Sequence, residues 1–394
     1  MNPFVSIIVP TRERCDTLES TLKTLVTQDY SNAEFIVCDN ASTDQTSTVV
    51  KSFQDNRIIY VRTPHRLSMS DNWDYALKYA SGEYITFIGD DDGFLPNSIS
   101  LAMQIIKNTS VKALSWRKVE FFWPDFPDTS LASRLIFPLQ ESLNVSLIKS
   151  NTYLPKVLNN LSYQGYTSLP CLYNSLVRRD VIQEILDINI RKNFFYSISP
   201  DIFSAISISA YLDSYAFTTY PITINGASRH SNGSSHLRNE EKQVNSPAYL
   251  FQSENKLKYL SDLDKIDDIV KKSIIMEYIN VRTNFPQLDV PIPLWWDKDG
   301  LNDFFYKNLL TTNKSENVYF KKLHYYSARI TSKIVRTFLG EHYSKKNNEF
   351  DNSVIPVVNL KTNPKIVKTV YDASIAVTNF VDSDALLDKL NDSL

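Results

Sequence analysis

Glycine is scarce in this chain, at 8 of 394 residues, and none lies between Pro10 and Asp16. A nucleotidyltransferase would be expected to carry a glycine-rich loop with a lysine after its first strand, and that segment does not supply one. Cysteine is scarcer still: Cys15, Cys38 and Cys171 are too few and too scattered for a disulfide framework or a zinc site. Each reads as a small core residue of a reducing compartment. Charge of one sign is also lacking, since the formal net charge is −2, so nothing electrostatic points to nucleic acid as a partner. No window approaches the roughly 18 uninterrupted apolar residues of a membrane span. The start, Met1 to Pro10, has neither the basic residues nor the long apolar run of a signal peptide. The expectation is a soluble, cytoplasmic protein with at most peripheral membrane contact.

What is present is apolar and aromatic residue in quantity, 43% and 12%, enough for a large core. Two domains are expected: residues 1–235 as a strand-and-helix unit, and 236–394 as a mainly helical region suited to oligomerisation or to binding a partner molecule. The polar loop Arg229–His236 marks the change in composition. In the first unit, apolar strands alternate with amphipathic helices at short intervals. Strands are expected at Phe4–Val9 (stopped by Pro10), Glu34–Cys38, Ile58–Val61, Tyr84–Ile88 and Lys112–Lys118, with an edge strand at Tyr215–Tyr220. Asp16 with Glu19 reads as a capping box, Asp44 as the cap of the next helix, and Asp71 or a neighbour as the start of a third. Such alternation implies parallel strands joined by right-handed crossovers, with ligands outside the carboxyl ends of the strands.

The sharpest signal is Gly82-Glu-Tyr-Ile-Thr-Phe-Ile-Gly-Asp-Asp-Asp-Gly-Phe-Leu-Pro96. Asp90, Asp91 and Asp92 follow a buried strand, and three adjacent carboxylates repel one another unless a cation or hydrogen-bond donors offset that cost. Hard oxygen ligands suit Mg²⁺ or Mn²⁺, with open positions for substrate phosphates. An EF-hand is excluded by spacing, because counting from Gly93 puts Ile88 and Ile99 where carboxylates are needed. Three of the few glycines, Gly82, Gly89 and Gly93, surround this turn, where positive φ or close approach to a ligand is expected.

Four motifs in this order, Val5-Ser-Ile-Ile-Val-Pro-Thr-Arg12, Leu25-Val-Thr-Gln-Asp-Tyr30, Phe35-Ile-Val-Cys-Asp-Asn-Ala-Ser-Thr-Asp44 and Ala80 to Asp92 with Leu95-Pro96, resemble a family 2 glycosyltransferase of the GT-A fold. The resemblance covers residues 1–110 well and 172–230 in part. It implies an α/β fold with an open, mostly parallel sheet and an inverting transfer of sugar from a nucleotide-diphosphate donor, a UDP-sugar foremost, to a hydroxyl of a glycan or glycolipid. By the same resemblance Pro10, Thr11, Arg12 and Asp39 contact the nucleobase, Asp90 holds the ribose, and Asp91 or Asp92 ligates Mn²⁺ or Mg²⁺, with Asp90 and Asp92 as the favoured pair. Arg66 and Arg229 are candidate cations for the leaving diphosphate, His230 a further metal ligand, and Asp201 the general base in Ser199-Pro-Asp-Ile-Phe203. Asp201 also has an ordinary reading as a helix-start residue, and Arg229 and His230 as a solvated loop. Departures from the commoner pattern, Gly89 and Asp90 where Asp and Ser are frequent, leave the metal register open by one residue. A catalytically inactive nucleotide-sugar-binding module and a nucleotidyltransferase stand as the alternatives.

Overall fold

The computed structural model describes residues 2–301 and 357–388, except 162, 189–192, 196–197, 238–242, 245, 256–262, 264–265, 267–268, 298–299, 383–384 and 387. The chain opens β1 (Val5–Thr11), α1 (Cys15–Val26), β2 (Ala33–Asp39), α2 (Thr46–Ser52), β3 (Ile58–Arg62), α3 (Met69–Leu77) and β4 (Tyr84–Phe87). It continues with β5 (Gly93–Phe94), α4 (Ser98–Thr109), β6 (Ala113–Trp116), β7 (Val119–Phe122), β8 (Arg134–Pro138), β9 (Val145–Lys149), α5 (Ser150–Asn160) and α6 (Tyr163–Tyr166). The last elements of this unit are β10 (Ser175–Arg178), α7 (Arg179–Asp187), α8 (Pro200–Tyr211), β11 (Ser214–Thr218) and β12 (Thr223–Ala227).

Eight strands make an open sheet in the order β3-β2-β1-β4-β10-β6-β11-β9. The first four are mutually parallel, and β10 runs antiparallel to both its neighbours. Both faces of the sheet are covered. Val5, Ile7 and Val9 of β1 join one core with Leu18, Leu22 and Leu25 of α1, whereas Ile8 joins a second with Trp73 of α3 and Phe203 and Ile206 of α8. That period-two division of one strand between two cores is why β1 reads as a continuous apolar run. A second sheet, with β8, β7, β12 and β5 in that order, packs against the first core through Phe94, Phe121, Phe137 and Ile224.

The sequence expectation fails in several places for local reasons. Strand β1 runs through Pro10 to Thr11; its even-numbered residues face β4, whose pairing ends at Phe87 opposite Ile8, so Pro10 has no ladder partner to lose. Helix α1 begins at Cys15, not after Asp16, and no capping box forms. Its first N–H is met from another loop, Cys15 N donating to Asp44 Oδ2 at 3.0 Å, while Asp44 Oδ1 accepts from Thr46 N at 3.0 Å and so serves two helix starts. Ser68, not Asp71, caps α3. The run Lys112–Lys118 does hold a strand, β6, but β11 is no edge strand because β9 pairs along it.

Beyond residue 235 the described helices are Pro247–Asn255, Ile269–Asn284 and Val370–Thr378. A strand that the sequence had not indicated, Val357–Lys361, pairs antiparallel with β8, and Val370, Ala373 and Val377 join the core around α1. Trp295 is buried, with Nε1 donating to Leu158 O at 2.7 Å, so it belongs to the core.

Candidate active site

The acidic turn leaves the end of β4 and leads straight into β5, so it is gripped between the two sheets. Asp90, Asp91 and Asp92 are all buried, at 3%, 5% and 1% exposure, which excludes a solvated loop. Each carboxylate has its own partners. Arg14 Nη1 donates to Asp90 Oδ1 at 2.8 Å, and Ser228 Oγ donates to Asp91 Oδ2 at 2.7 Å. Asp92 is the most heavily engaged: Oδ2 accepts from Gly89 N at 2.9 Å and from the Tyr173 hydroxyl, and Oδ1 accepts from Gly226 N at 2.8 Å.

Burial pushes the Asp91 carboxyl up to about 7; Arg14 opposes the shift, and Asp92 and Asp90 add to it. Burial also raises Asp92, against the hydrogen bonds from Tyr173, Gly226 and Gly89. Three carboxylates crowded in so buried a place are costly to ionise together. The glycines fit this crowding rather than positive φ. A Cβ on Gly89 would stand 3.0 Å from both Asp92 Oδ2 and the Tyr173 hydroxyl, and one on Gly226 would fall 1.7 Å from the Asp91 carbonyl oxygen.

Tyr173 links the turn to its far wall. Its phenol is raised well above the usual value by burial and then by Asp92 and Asp91, with Asp201 a smaller contributor. Lys118, at the point where the chain passes from β6 to β7, lies over the Tyr173 ring at 5.4 Å. Asp201 sits in the first turn of α8, half-buried, and Tyr166 donates to its Oδ2 at 2.6 Å. Trp116, Phe121, Phe122, Trp123 and Tyr166 are all core residues with at most 7% exposure, so none offers an open face to an acceptor sugar.

The near wall is made by the ends of β1, β2 and β3. Asp39 is fully buried, its Oδ1 accepting from Ser42 N at 2.8 Å and its Oδ2 from the Tyr60 hydroxyl at 2.6 Å, with Arg62 at 3.4 Å. Thr11 pairs with Asp39 across the ladder, and its buried Oγ1 has no hydrogen-bond partner among the described residues. Arg12 is half-buried and Arg66 exposed. The intervening loop is fixed by Glu13, which has φ 53° and whose carboxylate accepts from Thr43 N at 2.8 Å and Asp44 N at 3.1 Å.

The 228–230 loop closes on the turn by groups other than those expected. Ser228 reaches Asp91, and the carbonyl of His230 accepts from Arg14. The side chains of Arg229 and His230 face another way: Arg229 lies 3.4 Å from Asp125 and 3.7 Å from Asp16, and His230 Nε2 accepts from Arg229 Nε at 2.8 Å and lies 3.7 Å from Asp16. The neighbouring His230 imidazole holds the Asp16 carboxyl below its ordinary value.

Arg14, Lys118, Tyr173, Gly226 and Ser228 thus belong to the site without having been singled out by the sequence. Arg14 alone carried a signal, as a second cation two residues after Arg12 in a loop at a strand end. Among the described residues no three His, Cys, Asp or Glu side chains form a ready metal cage. Mg²⁺ and similar ions are commonly held by one or two carboxylates plus substrate phosphates, so hard carboxylate oxygens crowded together fit such an ion.

Residues 6–186, just under half of the 394, match the family model described as Glycosyl transferase family 2. The chain is 39% identical over 105 residues to a GalNAc(5)-diNAcBac-PP-undecaprenol beta-1,3-glucosyltransferase of Campylobacter jejuni, covering 26% of this chain and 34% of that protein. It is 33% identical over 108 residues to the UDP-Glc:alpha-D-GlcNAc-diphosphoundecaprenol beta-1,3-glucosyltransferase WfaP of Escherichia coli, covering 27% and 43%. The matched stretch spans less than half the length of either relative. Among solved structures, S. aureus TarS 1-349 in complex with UDP-GlcNAc aligns over 73% of this chain and 76% of that one, at 18% identity and a TM-score of 0.44, too slight a likeness to bear on function.

Proposed function

We propose, from the premise that residues 6–186 belong to glycosyl transferase family 2, that this protein is an inverting glycosyltransferase moving a sugar from a UDP-sugar to a hydroxyl of a lipid-linked glycan. The observation that carries the reading is the buried acidic turn at the end of β4, on the same sheet edge as Thr11 and Asp39, with Tyr173 bonded to Asp92 and within electrostatic reach of Asp201. Thr11, whose hydroxyl is unpartnered among the described residues, and Asp39, with Pro10 and Arg12 adjoining Thr11, would receive the nucleobase, Asp90 the ribose and Arg66 the leaving diphosphate. The names of the two relatives, one giving UDP-Glc and both an undecaprenol-linked diphosphate, support the donor and acceptor classes.

In the transfer the acceptor oxygen forms a bond to the anomeric carbon from the face opposite the diphosphate. The bond from that carbon to the diphosphate oxygen breaks, its electron pair leaving with the nucleoside diphosphate. The acceptor proton passes to Asp201. A bound Mn²⁺ or Mg²⁺ would supply charge stabilisation to the departing diphosphate. Asp91 is the residue we assign to hold it, because Asp92 is committed to Gly89, Tyr173 and Gly226, and His230 stands with Arg229 and Asp16. A nucleotide-sugar donor would be met in the cytoplasm. Among the described residues no helix is long and apolar enough to cross a membrane, so the lipid-linked acceptor would be reached from the membrane surface.

The test is a panel of UDP-sugars with Mn²⁺ or Mg²⁺ and a short-chain GlcNAc-diphospho-lipid, scored for UDP release and for lengthened glycan. Asp201→Asn should keep donor affinity and lose transfer by about 10²-fold or more. No turnover of any donor would overturn the reading and leave a binding module. Full transfer by Asp201→Asn would overturn the base assignment.

A further inference from the structure

The side chain of Asp201 makes one hydrogen bond among the described residues, accepted by Oδ2 from the Tyr166 hydroxyl at 2.6 Å. Asp201 stands two residues past the N-cap Ser199, and among the described residues its side chain takes no backbone N–H of its own helix. Its oxygen Oδ1 accepts nothing from them either. The carboxylate is therefore held at one oxygen and open at the other.

Both ends of this contact are anchored. Tyr166 ends α6, is 6% exposed, and lies in the core with Leu158, Leu161 and Leu169; its carbonyl accepts from Leu169 N at 3.0 Å. Its ring has no face left for a sugar. Asp201 follows Pro200, whose fixed φ suits the first helical position. Phe203 N donates to Ser199 O at 2.9 Å, and Ser199 N donates to Glu277 Oε1 at 3.0 Å, tying the start of α8 to the helix Ile269–Asn284. An unheld carboxylate rotates about its last bond and presents either oxygen. A buried phenol at 2.6 Å selects one orientation.

We infer that Tyr166 is a positioning residue for Asp201, fixing Oδ2 so that Oδ1 faces the acceptor hydroxyl and takes its proton. The inference rests on the proposed role of Asp201 as the base. Tyr166 touches neither donor nor acceptor; it acts only through the carboxylate.

Tyr166→Phe removes one oxygen and keeps the ring that fills the core. With the full chain and each UDP-sugar that it turns over, this variant should show kcat lowered about 5- to 50-fold, while the donor KM and the urea midpoint hold. In the Asp201→Asn background the same change should cost nothing further, because its effect passes through the group already lost. A Tyr166→Phe enzyme at full rate, or one losing the same factor in both backgrounds, overturns the inference. Transfer surviving in Asp201→Asn would instead sink the base assignment, and the two failures are read from different variants.

Discussion

Gly226 is the most exposed to refutation of the structural assignments, because the space for a side chain is measured. A Cβ there would lie 1.7 Å from the Asp91 carbonyl oxygen, 2.7 Å from its carbon and 2.8 Å from Trp123 Nε1. Ordinary contact begins at roughly 3.5 Å, so Gly226→Ala must move β12 from the acidic turn by about 1.8 Å. That shift carries the Gly226 N–H beyond reach of Asp92 Oδ1, now at 2.8 Å, and draws Ser228 from Asp91, now at 2.7 Å. Losing a hydrogen bond to a buried carboxylate costs about 1.5–3 kcal/mol and overpacking about 1–3, so the variant should lose about 2.5–6 kcal/mol. That is a large share of a stability of about 5–15 kcal/mol. Urea unfolding of the variant beside Gly233→Ala supplies the comparison, since a Cβ on Gly233 meets nothing within 4 Å and should change stability by less than about 0.5 kcal/mol. Isothermal titration with UDP and Mn²⁺ reads the site itself. A Gly226→Ala protein within about 1 kcal/mol of the parent that binds UDP equally well would show that β12 and the turn do not meet as described.

Arg14→Gln leaves Asp90 buried without its cation, at a site where the two side chains are 24% and 4% exposed; breaking such a pair should cost about 2–4 kcal/mol, and an unchanged urea midpoint would refute the pairing. Asp74, buried in α3, accepts from Phe194 N at 2.9 Å, and burial raises its carboxyl to about 7. A carboxyl raised on folding stabilises the fold below its unfolded value and loses that contribution as pH climbs to about 7. Asp74→Asn, which keeps an acceptor oxygen and never ionises, should gain on the parent between pH 5 and pH 8 by about 1–3 kcal/mol in urea midpoints, and a constant difference would disprove the shift.

Residue order alone carries the alternation of the first half and the place of the acidic turn. Residues of β1 such as Val5, Ile7, Ile8 and Val9 are apolar on both faces, and only a central strand covered by helices satisfies that pattern. A strand running into Asp90–Asp92 then fixes those carboxylates at its carboxyl end, whatever the rest of the chain does. Only the tertiary structure decided which groups answer them. Arg14 is 76 positions from Asp90, Tyr173 is 81 from Asp92, Gly226 is 134 from Asp92 and Ser228 is 137 from Asp91. The same holds for Tyr166, 35 positions from Asp201. Local periodicity records which face of an element is buried, but a hydrogen bond across such separations depends on how strands of two sheets lie against one another, which no local pattern encodes.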